Sequence, residues 1–157
     1  MMKDSVDTIL LQWLQVRPDL DCSSMGVVGR VRRTSEQWKK NMERVFKLHQ
    51  LSSIEFDILA TLRRSQTPLT PTELYQTLML SSGVMSTRIE SLVQRGLLQR
   101  LASEEDRRSC RVELTEEGIT LIDLVVVEHI QNMESMLSPL NHKERDQLAE
   151  LLRKLSQ

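Results

Sequence analysis

Two short stretches of this 157-residue chain hold side chains suited to touching nucleic acid. In the first, Gly83, Thr87, Glu90, Ser91 and Gln94 fall on one side of a candidate helix, with Ser82 and Ser86 as further contact candidates. Small and hydrogen-bonding residues of this kind can approach base edges and phosphates in a major groove. In the second, Arg107 and Arg108 stand together in the charged segment between two runs of strand character. Guanidinium groups on an extended arm suit the negative potential of a narrow minor groove. Glu104, Glu105 and Asp106 dilute that charge, so the arm must work through geometry. A polar helix face alone reads as solvated surface. The arginine-tipped hairpin that follows it makes double-stranded DNA the expected partner.

The elements that must position these residues are legible in the phrase TPTELYQTLMLSSGVMSTRIESLVQRG. Thr70 can cap a helix whose first position is Pro71, and Glu73 completes a capping box. Leu74, Leu78 and Met79 are the apolar side of that short helix. Ser81 or Ser82 caps a second helix, which ends before Gly96, a natural left-handed terminator. Met85, Ile89, Leu92 and Val93 form its buried stripe, within an arc of about 80° to 100°. Residues 97–101 and 110–115 then read as two strands, with Val112 and Leu114 on one face. A helix-turn-helix followed by a β-wing results.

The remaining segments read as helices. They cover about residues 5–16, 24–49, 52–64 and 115–137, with a last one opened by Asn141 and Glu144. Arg17-Pro18-Asp19-Leu20-Asp21 breaks the first from the second. Ser52 with Glu55 is a further capping box. The expected fold is mainly α with a small β-hairpin. Residues 1–50 should contribute to dimerisation and a pocket, 51–115 should bind DNA, and 116–157 should dimerise. The apolar stripes of the first helix and the last two exceed what one thin helical layer buries, which favours a homodimer over an internal bundle.

The stretch from SGVMSTRIESLVQRGLLQR to EEDRRSCRVELTEEG resembles the MarR family of winged helix-turn-helix transcriptional regulators. The Asp-Arg-Arg wing phrase and the Leu-Thr-x-x-Gly approach to the next helix carry the likeness. The resemblance implies a homodimer on a pseudo-palindromic operator, usually a repressor released by a small ligand or by oxidation. Trp13, Asp57, Arg88 and Arg100 match a set found in a urate-responsive subgroup of that family. It implies a small anionic aromatic effector that meets Trp13 and competes for Arg88 and Arg100 while Asp57 repels it. Arg88 lies about 80° from the centre of the buried stripe. Asp57, at the margin of its own helix's apolar arc, is expected to meet Arg88 as a stabilising pair. The bland alternatives are a dimer anchor for Trp13, a permanent strut for Asp57 and Arg88, and a phosphate contact for Arg100. The neighbouring segment Arg17 to Asp21 does not by itself identify urate.

Composition sets limits. The net charge of −1 divides into +4 over residues 1–111 and −5 over 112–157, so distribution matters more than the sum. That near-neutral total also fits a winged-helix protein-interaction module with weak DNA affinity. No phosphate loop, nucleophile elbow or glycine-rich dinucleotide fingerprint is present, and no enzyme is expected. Cys22, Cys110, His49, His129 and His142 have no metal-site spacing, and no cofactor is expected. A redox-responsive repressor remains a rival: Cys22 has acidic neighbours opposed by Arg17, and modification of Cys110 would obstruct the wing. The chain lacks a basic-then-apolar N-terminus and any 18-residue apolar run, which predicts a cytoplasmic protein with no membrane partner.

Overall fold

The computed structural model describes residues 3–102 and 110–156. Its elements are α1 (Ser5–Val16), α2 (Ser23–Leu48), α3 (Ser53–Ser65), α4 (Pro71–Leu78), α5 (Ser82–Gln94), β1 (Leu98–Ala102), β2 (Cys110–Leu114), α6 (Glu116–Met136) and α7 (His142–Leu155). The chain divides into two compact units, Met1–Asn41 and Met42–Gln157, so the boundary falls inside α2. The helix-turn-helix, the wing and the C-terminal helices share the second unit.

In the first unit, Asp4 caps α1 by accepting from the amides of Val6 and Asp7, and Asp7 returns the bond to the Asp4 amide. Arg30 of α2 then spans both carboxylates, at 2.8 Å to Asp4 and 2.7 Å to Asp7. The cap and the guanidinium hold the Asp4 carboxyl below its ordinary pKa. Val6 is buried, while Ile9, Leu11, Trp13 and Leu14 of the same helix remain exposed.

The second unit is organised around Ile58 and Leu59 of α3, Leu74 of α4, Met85, Ile89 and Leu92 of α5, Leu98 and Val112 of the wing, and Ile122 and Val125 of α6, all fully buried. The predicted α5 stripe therefore faces this core, with Val93 partly buried at its edge. Arg63 ties α3 to α6 through Asp123, at 2.8 and 3.0 Å. Met79 departs from expectation: its side chain is 92% exposed. The helix stops at Leu78, and Met79 is its left-handed C-cap with φ 52°, which turns the side chain off the apolar face.

The wing strands pair antiparallel, Leu98 opposite Leu114 and Ala102 opposite Cys110. Leu69, just before α4, adds a bridge to Val112 through reciprocal bonds of 3.1 and 2.8 Å. The root of the wing is locked at Thr115. Its amide donates to Leu97 O, its hydroxyl donates to Gly96 O, and the same hydroxyl accepts from the Gly118 amide to start α6. Gly96 has φ 69°, the left-handed conformation that ends α5 and aims the chain into β1.

Candidate nucleic-acid interface

The turn between α4 and α5 is built from caps. Thr70 accepts from the Glu73 amide, and Glu73 accepts in return from the Thr70 amide at 2.7 Å. Met79 closes α4, and Ser81, rather than Ser82, caps α5 through the Val84 amide. Ser82 and Gly83 therefore occupy the first turn of α5, where backbone N–H groups lack helical partners and suit anionic oxygens. Both residues are exposed, as are Ser86 and Thr87. The Thr87 hydroxyl donates to Gly83 O at 3.1 Å, which holds the methyl and the oxygen lone pairs in a set orientation.

Ser91 is placed differently. It is partly buried, and its hydroxyl donates to Glu55 Oε1 at 3.3 Å. Glu55, only 5% exposed, also closes the capping box of α3 and lies 3.7 Å from Arg95. Burial raises the Glu55 pKa, but the Ser52 amide and hydroxyl, the Arg95 charge and the Ser91 hydroxyl together hold it below the ordinary value. Sequence reasoning saw Glu55 as a cap and missed it as the brace beneath α5. The capping pattern was the visible signal; its second partner lies 36 positions away.

Beside this face, Arg100 of β1 reaches Glu90 of α5 at 2.8 Å. Ser86, Thr87, Glu90, Ser91, Gln94 and Arg100 line an open concavity of about 570 Å³. The recognition-face residues and the first wing strand thus share one surface. Arg107 and Arg108 lie outside the described residues.

The four proposed effector residues are divided between the two units. Trp13, 38% exposed, belongs to the first unit, and Asp57, Arg88 and Arg100 belong to the second. No ion pair joins Asp57 to Arg88 among the described residues. Asp57 instead has Arg64 of its own helix and the titratable His129 of α6 as its electrostatic neighbours. Its residue surface is largely open, yet the carboxyl loses enough hydration that its pKa rises, with Arg64 and His129 opposing the shift. Arg88 is partly buried. His129 itself leans on the stacked rings of Phe46 and Phe56, at centroid distances of 5.0 and 5.1 Å.

Cys22 and Cys110 are both free and partly buried, and the Cys110 thiol donates weakly to Arg111 O at 3.6 Å. Among the described residues no group of three or more His, Cys, Asp or Glu side chains could hold a metal ion. No described helix is long and apolar enough to cross a membrane.

A capped two-helix unit, a buried stripe beneath an exposed polar face, and an antiparallel hairpin bonded to its C-terminal end define a winged-helix DNA-binding protein. The MarR family model matches residues 49–109. The transcriptional regulator PecS of Dickeya dadantii is 41% identical over 149 residues, covering 94% of this chain and 90% of that protein. The repressor NicR of Pseudomonas putida is 35% identical over 106 residues, 68% of this chain and 66% of its own length. Among solved structures, BpsR of Bordetella bronchiseptica, whose DNA binding is regulated by 6-hydroxynicotinic acid, has a TM-score of 0.72 at 27% identity, covering 83% of this chain and 98% of that one. A MarR mutant from Escherichia coli in complex with operator DNA shares the fold, with a TM-score of 0.72 at 19% identity over 91% of this chain and 96% of that one. The chain belongs to the MarR family. It is a DNA-binding transcriptional regulator and not an enzyme.

Proposed function

We propose that the chain works as a homodimeric repressor of a pseudo-palindromic operator, released by a small anionic aromatic compound of the urate type. The exposed face of α5 carries this reading: Ser82, Gly83, Ser86 and Thr87 enter the major groove while the wing follows the adjacent minor groove. Arg107 and Arg108 supply the wing's phosphate and minor-groove contacts. Residues 51–115 are the DNA-binding lobe, residues 1–50 serve dimerisation and effector binding, and residues 116–157 complete the dimer.

Dimerisation is supported by apolar surface left in water. Leu11 and Leu14 of α1, Leu124, Val127 and Ile130 of α6, and Leu151 and Leu155 of α7 are all exposed in the single chain. Within the first unit, α1 and α2 also form a groove of about 930 Å³ whose floor includes Val6, Ile9, Leu10 and Val28. An obligate dimer interface buries about 2,000 Å² or more, and these residues provide the apolar share of it. Two α5 helices related by a two-fold axis then meet successive major grooves.

Effector binding is assigned to Trp13, Arg88 and Arg100, with Asp57 opposing the ligand's charge. The response of BpsR to a planar aromatic acid supports an effector of this class. A ligand that draws on Arg88 acts directly on the helix that reads DNA. Titration calorimetry with urate and with 6-hydroxynicotinic acid, paired with DNA release assays, tests the site. Binding and release by either compound are expected. A Trp13→Ala, Arg88→Ala double variant that binds them unchanged overturns the assignment. Function in the cytoplasm follows from this role.

A further inference from the structure

Glu90 is a carboxylate on the very face that meets a polyanion. It is held from two sides: Arg100 donates to Oε2 at 2.8 Å, and the Gln94 amide donates to Oε1 at 3.4 Å. The other groups lining the concavity, Ser86, Thr87, Ser91 and Gln94, are uncharged. With the Glu90–Arg100 pair closed, this surface offers phosphates no net positive charge. The pair itself is about half exposed, 45% at Arg100 and 51% at Glu90, so water screens it and it opens at little cost.

We propose that Arg100 can also contact a DNA phosphate and that Glu90 is a specificity-determining residue that makes this contact conditional on the base beneath α5. The proposal deepens the DNA reading above and rests on α5 entering the major groove. When Arg100 leaves for a phosphate, Oε2 loses its donor in a groove crowded with acceptors. The exocyclic amino group of cytosine or of adenine restores that bond. Opposite O6 or N7 of guanine or O4 of thymine, the carboxylate meets only acceptors, and Arg100 stays with Glu90. One ion pair therefore couples a backbone contact, which alone carries no sequence information, to a base contact, which does.

The test uses duplexes and no effector, so any role of Arg100 toward a ligand does not enter. One duplex is recovered from a random-sequence pool by repeated selection with wild-type protein, and the second is its shuffled sequence. Wild type, Glu90→Ala, Arg100→Ala and the double variant are titrated on both across a range of salt, with circular dichroism to show that each is folded. Glu90→Ala is expected to bind the shuffled duplex on the order of tenfold more tightly, with the log–log salt slope steeper by about 0.9 for one added phosphate contact. Removing Arg100 as well should abolish that gain. Selection repeated with Glu90→Ala should lose a preference for a base with an exocyclic amino donor, cytosine or adenine, in each half-site. An unchanged affinity and slope of Glu90→Ala on the shuffled duplex, or a gain that survives without Arg100, overturns the proposal alone. A folded wild type that does not distinguish the two duplexes overturns the groove reading and the proposal with it.

Discussion

The Ser91 hydroxyl of α5 donates to the buried Glu55 carboxylate of α3 at 3.3 Å, so the capping box that starts α3 also braces α5, the second helix of the helix-turn-helix. The brace acts from the core side, through Ser91, and from the helix end, through Arg95. Removing it should loosen α5 without touching its outer face.

Glu55→Ala is expected to lower stability by about 2–3 kcal/mol, since a cap and a buried acceptor are lost together. Ser91→Ala should cost about 1 kcal/mol. Denaturant unfolding of the two single variants and the double gives their coupling, and strictly additive losses would remove the brace from the account. The pH dependence has a defined sign. The folded pKa of Glu55 lies below its ordinary 4.5, so its contribution is complete above that pH and disappears as pH falls through the folded value.

At the wing root, Gly118 leaves no room for a side chain: a Cβ there would sit 2.1 Å from Leu97 O. The obstacle is backbone, held by the Thr115 amide, and cannot swing aside. Gly118→Ala should cost about 3 kcal/mol, at the upper end of overpacking penalties. Gly83→Ala meets nothing within 4 Å and should leave stability equal or slightly higher. Thermal melting of the two variants side by side checks the contrast, and equal melting temperatures would contradict it.

His129 introduces acid sensitivity into the same unit. Burial against Phe46 and Phe56 holds its pKa below the ordinary 6.5, with Asp57 pulling the other way, and Nδ1 is buried without a hydrogen-bond partner among the described residues. The unfolded imidazole takes up its proton first, so stability should fall as pH drops from 6.5 toward the folded pKa. The Asp57 shift has the opposite sign: its contribution is present below the ordinary 3.8 and lost as pH rises through the raised folded value. His129→Phe should flatten the limb just below pH 6.5. Denaturation midpoints that decline equally in the variant would assign that limb to other groups.

On DNA, Arg107→Ala with Arg108→Ala should weaken binding to every duplex and reduce the log–log salt slope by about 1.8, two phosphate contacts' worth. Thr87→Ala should instead change the preferred sequence with little effect on the slope. A uniform loss across sequences for Thr87→Ala would remove it from base reading.

What the amino-acid order determined by itself is local. The boxes at Thr70–Glu73, Ser52–Glu55 and Asn141–Glu144, the stop at Gly96, and the stripe of Met85, Ile89 and Leu92 all depend on partners three or four residues apart or on one backbone angle. They formed as read. Tertiary structure decided which long-range neighbour each polar side chain met. Helical periodicity gives the direction in which a residue points, but it does not specify the element standing opposite. Asp57 therefore faces Arg64 and His129 instead of Arg88, Ser91 turns to Glu55, Leu69 joins the wing at Val112, and Glu90 meets Arg100 across the gap from α5 to β1.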